Sequence, residues 1–116
     1  MIRQRVEFHH GGRLAIVKAY LSDYEKYGAS KEAIDELPST LRDLDGVWIS
    51  VVVRETADRI RVNLRSGENF NCAEYARSHN GGGHIRSAGF SVDYGDGITI
   101  DELTQTIIDE VGRLLK

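Results

Sequence analysis

Val47-Trp48-Ile49-Ser50-Val51-Val52-Val53-Arg54 is followed, after Glu55-Thr56-Ala57-Asp58, by Arg59-Ile60-Arg61-Val62-Asn63-Leu64-Arg65-Ser66. Successive side chains of a strand point to opposite faces. In the first run Val47, Ile49, Val51 and Val53 share one face, and Trp48, Ser50 and Val52 share the other. Apolar residues on both sides predict a central strand covered on both faces. The second run alternates cleanly, with Ile60, Val62 and Leu64 inward and Arg59, Arg61, Asn63 and Arg65 outward. Together they read as a hairpin whose register is set by the apolar face.

Upstream, Val6-Glu7-Phe8 and Leu14-Ala15-Ile16-Val17 are strand-like, with His9-His10-Gly11-Gly12 as turn material. Ser22 with Glu25 reads as a capping box for a short helix, Asp23 to Tyr27, stopped by Gly28. Ser30 caps a second helical pattern from Lys31. Pro38 breaks it and starts another that runs to about Leu44, before Gly46. Downstream, Asn71 caps a helix from Cys72 to His79, and Phe90 to Tyr94 looks like a last strand. Thr99 and Glu102 form a capping box, and Ile98 with Leu103 has staple spacing. Leu103, Ile107, Val111 and Leu114 then make a final amphipathic helix. The expected architecture is a single α/β (mixed α+β) domain over residues 1–116, with one sheet of about five strands and helices packed on it.

A chain of 116 residues suits one core. Its 41% hydrophobic and 28% charged residues are ordinary for a globular protein. No apolar run approaches the roughly 20 residues of a membrane-spanning helix, so no membrane partner is expected. The one cysteine, Cys72, excludes an internal disulfide and fits a reducing compartment, with the cytoplasm as the expected location. Cys72 reads as a small buried hydrophobe, with a reactive thiol as the minor reading. The net charge is −3, but residues 59–86 carry five arginines against two glutamates. A local basic patch on an acidic body suits a phosphorylated ligand of limited size; a merely solvated charged face is the plainer reading.

The segment Asn80-Gly81-Gly82-Gly83-His84-Ile85-Arg86-Ser87-Ala88-Gly89 asks for an explanation, because glycine costs conformational entropy on folding. One reading is a flexible surface turn. The other is a set of bare N–H groups converging on an anion, helped by the dipole of a following helix. Arg65 can hold phosphate through two parallel hydrogen bonds, and Ser66 adds a hydroxyl. His84 can donate to a phosphate or stack on a base, or it can be an ordinary structural histidine. His9-His10 does not read as a metal site, since neighbours on a strand or turn point to different sides.

Asn63-Leu64-Arg65-Ser66, Cys72-Ala73-Glu74-Tyr75-Ala76 and Gly81-Gly82-Gly83-His84-Ile85-Arg86-Ser87-Ala88-Gly89-Phe90 together resemble the C-terminal DHH-associated domain of DHH-family phosphoesterases. That family includes RecJ-like exonucleases, oligoribonuclease/phosphoadenosine-phosphate phosphatases and exopolyphosphatase-related proteins. Gly12-Arg13-Leu14-Ala15, Asp45-Gly46-Val47 and Arg54-Glu55 extend the resemblance over nearly the whole chain. Asn80 stands where many relatives have a fourth glycine, and Ser87 where many have alanine.

The resemblance implies a domain that binds a nucleotide or a short single-stranded RNA or DNA. Arg65, Ser66, Gly81, Gly82, Gly83 and His84 would contact its phosphate, with Arg86 as a further candidate. His84 would orient the substrate, and no residue of this chain would be catalytic. It also implies a partner, an N-terminal catalytic DHH domain with an Asp-His-His motif and two metal ions, usually manganese. Nothing in this sequence corresponds to that domain, so the chain is expected to bind no metal and to be inactive alone. Two alternatives are a stand-alone nucleotide- or RNA-binding regulatory module, and a relative of the domains appended to alanyl-tRNA synthetases.

Overall fold

The computed structural model describes residues 6–20 and 46–115. The helices expected from Asp23 to Tyr27, from Lys31, and from Pro38 to about Leu44 lie outside the described residues.

β1 (Val6–His9) and β2 (Leu14–Ala19) form the expected N-terminal hairpin. His10, Gly11 and Gly12 turn the chain with φ of 56°, 72° and 87°. β3 (Ile49–Glu55) lies parallel to β2, and β4 (Arg59–Ser66) returns antiparallel to it. Next come α1 (Cys72–Ser78), β5 (Gly82–His84), β6 (Ser87–Asp93), a 3₁₀ turn at Tyr94–Asp96, and α2 (Ile100–Leu114). The strands make one sheet in the order β1-β2-β3-β4-β6-β5.

Six strands replace the expected five or so. The extra one is β5, built from part of the glycine run itself. Glycine has no side chain to pack and signals no strand. β5 exists because Gly82, Gly83 and His84 pair in register with Gly89, Ala88 and Ser87 of β6. β6 accordingly begins at Ser87, ahead of the apolar signal at Phe90. A second expectation also changes: the glycine run leads into β5 and β6, so the element that follows it is a strand and not a helix.

One face of the sheet carries the core. Leu14, Ile16, Ile49, Val51, Val53, Ile60, Val62, Leu64, Ala88 and Phe90 pack there against Tyr75 and Ala76 of α1 and Leu103, Ile107 and Val111 of α2. Each helix starts at a side-chain cap. Asn71 Oδ1 accepts from the Glu74 N–H at 2.9 Å. Thr99 and Glu102 bond reciprocally at 3.1 Å, as the sequence predicts. The N-terminal turn is tied to α2 through His10, whose Nε2 donates to the Ile108 carbonyl at 2.7 Å. Gly112 leaves the room that this imidazole occupies.

The opposite face divides in two. Over β2 and β3 it is also buried, at Ala15, Val17, Ala19 and Val52. This matches the double coverage predicted for the central strand. Over β4 and β6 the same face shows Arg59, Arg61, Asn63, Arg65, Ser87, Gly89 and Ser91, and none of these is fully buried.

Candidate phosphate-binding face

The period of two on β4 puts Arg59, Arg61, Asn63 and Arg65 on the face away from the helices. Register then decides what stands beside each. Arg65 pairs with Ser87, and Ser87 with His84. Asn63 pairs with Gly89, and Gly89 with Gly82. Arg61 pairs with Ser91, and Arg59 with Asp93. Arg65 and His84, 19 residues apart in sequence, thus flank Ser87 in one row across three strands. Two strand spacings separate them by about 10 Å. One phosphate between them lies within reach of both side chains.

The glycines divide into two kinds. Gly82 is open: a Cβ there would meet nothing within 4 Å. Gly81 and Gly83 serve the backbone. A Cβ on Gly81 would collide with the Gly89 carbonyl oxygen and Phe90 Cβ. Gly83 has φ of +143°, and its Cβ would lie 2.6 Å from Ala88 Cα. The Gly81 N–H donates to the Ala76 carbonyl at 2.8 Å, which leaves it no donor for an anion. Of the three glycines, only Gly82 has open space above the face.

Ser66 and Arg86 serve mainly as supports. Ser66 is 1% exposed. Its hydroxyl donates to the Phe70 carbonyl at 2.8 Å and accepts from Cys72 Sγ at 3.2 Å. In this arrangement it reaches no ligand on the open face. Arg86 donates through Nη1 to the Gly67 carbonyl at 2.9 Å. Its own carbonyl accepts from the Ser66 N–H at 3.0 Å, and the Ile85 carbonyl accepts from the Cys72 N–H at 2.8 Å. These bonds hold the β5–β6 turn against the start of α1. Cys72 is fully buried, and burial pushes its thiol up despite the Ser66 hydrogen bond and the nearby charges of Arg65 and Arg86. It behaves as a core residue rather than a nucleophile.

A second support comes from α2. Glu110 Oε1 accepts from the Tyr75 hydroxyl at 2.8 Å and bonds His79 Nε2 at 2.7 Å. The His79 ring stacks on Phe90 at 4.4 Å with 10° between planes. His79 is the residue before Asn80, which turns the chain into the glycine strand with φ of 66°. Burial raises the Tyr75 hydroxyl, and the Glu110 carboxylate raises it further, so it stays a donor.

Reading the sequence alone missed the rest of the face. A polar groove of about 580 Å³ lies on the sheet beside the Arg65–His84 row, lined by Arg59, Arg61, Asn63, Asn80, Gly82 and Ser91 among others but by neither Arg65 nor His84. The signal was there, since strict alternation already placed Arg61 and Asn63 outward with Arg65. What joins them to Asn80 and Ser91 is the pairing of β4 with β6 and the position of β5. Among the described residues no three His, Cys, Asp or Glu side chains converge as a metal site requires. His9 bonds Glu7 at 3.1 Å, and His10 is engaged with α2. No described helix is long and apolar enough to cross a membrane.

The sequence matches the DHHA1 domain family over residues 12–115. It is 29% identical over 106 residues to the bifunctional oligoribonuclease and PAP phosphatase NrnA of Thermus thermophilus, covering 91% of this chain and 30% of that protein. The chain therefore spans less than a third of the curated relative that it matches. Among solved structures, it superposes on an exopolyphosphatase-related protein from Bacteroides fragilis with a TM-score of 0.81 at 20% identity. That match covers 98% of this chain and 34% of the other. The C-Ala domain of Aquifex aeolicus alanyl-tRNA synthetase superposes with a TM-score of 0.63 at 14% identity, over 88% of this chain and 89% of that one. At these identities the two structures establish a shared fold.

Proposed function

This chain belongs to the DHHA1 domain family, and from that premise we propose that it is the substrate-binding domain of a DHH-type phosphoesterase. It holds the phosphate of a nucleotide or short oligonucleotide on the Arg65–His84 row, and a separate domain cleaves. The observation that carries this reading is the row itself. Register places a guanidinium and an imidazole on one open face, beside a glycine with open space above it. Arg65 supplies charge and a planar fork of donors. His84 is exposed and bonds no described residue, so its imidazole is available to a ligand. Bound phosphate is thereby oriented and kept at the end of the sheet.

The hydrolytic step needs a clamp on the attacking and leaving oxygens. We assign it to an N-terminal DHH domain of the same polypeptide, with two manganese ions. The described residues of this chain do not assemble such a clamp. The relative's length, more than three times the part matched, supports a larger enzyme. A nucleotide substrate and an unpaired cysteine fit work in the cytoplasm.

Calorimetric titration of this chain with a 5′-phosphorylated diribonucleotide tests the site. Loss of a charge-assisted hydrogen bond removes about 1.5–3 kcal/mol, so Arg65→Ala is expected to weaken binding at least ten-fold, and His84→Ala several-fold. Undiminished binding by both variants would overturn the assignment. In a manganese-containing hydrolysis assay this chain alone is expected to show no turnover, and clear turnover would sink the division of labour. The likeness to the C-Ala domain of an alanyl-tRNA synthetase favours a second reading, an RNA-binding module that serves no DHH catalytic domain. The two separate on whether adding a DHH catalytic domain in trans yields hydrolysis that Arg65→Ala reduces.

A further inference from the structure

β5 is weak by composition. It has three residues, two of them glycine, and lies at the edge of the sheet with β6 as its strand partner. Glycine weakens a strand, since it has no side chain to pack and loses the most freedom on ordering. The position of His84 therefore depends on how the two ends of β5 are held. Beyond His84 the hold is main chain: the Ile85 and Arg86 carbonyls accept from the Cys72 and Ser66 N–H groups at 2.8 and 3.0 Å. Ahead of Gly82, the Asn80 and Gly81 N–H groups donate to the Arg77 and Ala76 carbonyls at 3.0 and 2.8 Å. Those bonds tie the strand to the end of α1. The side chain of His79 ties that end to the sheet.

His79 caps the C-terminus of α1 and precedes Asn80, whose φ of 66° turns the chain into β5. Its ring lies flat on Phe90 of β6, 4.4 Å away with 10° between planes, and edge-on to Tyr75 at 5.2 Å. Apolar contact is non-directional and tolerates sliding and rotation of the ring. The bond between Nε2 and Glu110 Oε1, at 2.7 Å, removes that freedom. Glu110 is fixed in turn by the Tyr75 hydroxyl at 2.8 Å. It belongs to α2, which packs on the core face of the sheet, so it touches nothing bound on the opposite face at Arg65 and Ser87.

Resting on the proposed substrate-binding role, we infer that Glu110 and His79 are positioning residues for the phosphate row. Glu110 orients the His79 ring, and the ring sets where the end of α1 sits on Phe90. That end places β5, and with it the distance from His84 to Arg65. The pair therefore acts on ligand affinity from behind the sheet, and not on stability alone.

Two measurements on this chain test the assignment. The first is amide hydrogen exchange without ligand. Glu110→Ala is expected to speed exchange across the β5–β6 ladder about five-fold relative to the β3–β4 ladder, the equivalent of about one net hydrogen bond. Glu110→Gln keeps an acceptor for both partners and is expected to exchange like wild type. Thr99→Ala removes the cap of the same helix, about three turns from Glu110. It lowers stability comparably and is expected to leave the ratio of the two ladders unchanged. The second measurement is titration with the 5′-phosphorylated diribonucleotide. Glu110→Ala, and His79→Phe, which keeps the stack and loses the bond, are each expected to weaken binding about five-fold. Glu110→Gln and Thr99→Ala should bind within about two-fold of wild type, and in a His84→Ala background Glu110→Ala should add less than about two-fold, because the pair acts through His84. Wild-type affinity in Glu110→Ala would overturn the positioning role. So would failure of glutamine to rescue, an equal loss in Thr99→Ala, or a full effect that persists without His84. Binding indifferent to both Arg65→Ala and His84→Ala is the failure of the phosphate reading instead, and the exchange ratio then still decides whether Glu110 places β5.

Discussion

Gly82 and Gly83 are adjacent in β5 and place opposite demands on the chain. Gly83 sits at φ +143°, with Ala88 Cα 2.6 Å from where its Cβ would be. An L side chain is strained there whatever the neighbours do. Gly83→Ala is expected to cost about 1–3 kcal/mol, read as a lower midpoint in urea unfolding. Gly82→Ala meets open space and is expected to unfold within about 0.5 kcal/mol of wild type. Its methyl would stand on the open face beside the Arg65–His84 row, so binding of the phosphorylated diribonucleotide should weaken although stability holds. If Gly83→Ala unfolds like wild type, the backbone role assigned to Gly83 is wrong. The glycine run stood out in the sequence as the residues to explain. Which glycine serves the backbone and which serves the face was not legible there, because the difference comes from the pairing with β6. The same holds for Ser66. Its type and its place after Arg65 suggested a phosphate ligand, while alternation along β4 turns it toward the core side, where Phe70 and Cys72 engage it.

α2 is the element that holds the glycine strand from behind. Glu110 joins Tyr75 and His79 across the two helices. Glu110→Ala leaves a largely buried hydroxyl without its acceptor, and is expected to cost about 1 kcal/mol, since a net hydrogen bond contributes about that much. Chemical unfolding measures it, and an unchanged midpoint would show the clamp to be idle. The carboxyl is also a source of acid sensitivity. Burial pushes Glu110 up, but the hydrogen bonds from Tyr75 and His79 and the charges of His79 and Arg113 outweigh it, holding it below its ordinary value of 4.5. A lowered native value means that the folded state prefers the carboxylate. Its contribution is complete above the unfolded value and is lost as pH falls through the native one. Between pH 7 and about pH 3, wild type should therefore lose more stability than Glu110→Gln, chiefly below about pH 4.5. Parallel loss in both proteins would place the acid sensitivity elsewhere. The helix itself was legible from Thr99, Glu102 and the spacing of Leu103, Ile107 and Val111, because caps and amphipathic periods are local. Its bond to His79, 31 residues upstream, is not a local property.

The whole molecule sets a sheet covered on both faces at β2 and β3 and open on one face at β4 and β6 against a divided charge. Leu64 lies at the centre of that sheet, between Val51 and Ala88, and is fully buried. Leu64→Ala is expected to cost about 2–5 kcal/mol, a large part of the stability of a domain this size, and calorimetry would register it as a clear drop in Tm. The net charge of −3 works against an anionic ligand at long range, so the proposed binding rests on the basic residues of the β4 face. With one phosphate engaged on the Arg65–His84 row, diribonucleotide affinity should fall about two- to three-fold between about 50 and about 200 mM salt. A salt-independent affinity would mean that the arginines are not in contact with phosphate. The order of the described elements apart from β5, the outward parity of Arg59 to Arg65, the caps of both described helices and membership of the DHHA1 domain family follow from the sequence alone. Each depends on residues near one another in the chain or on a contiguous motif. The sixth strand, the row that joins Arg65 to His84, the burial of Ser66 and the groove that brings Arg61 and Asn63 to Asn80 and Ser91 were decided by the tertiary structure. They depend on which strands are neighbours and in what register, and backbone pairing between segments far apart in sequence sets both.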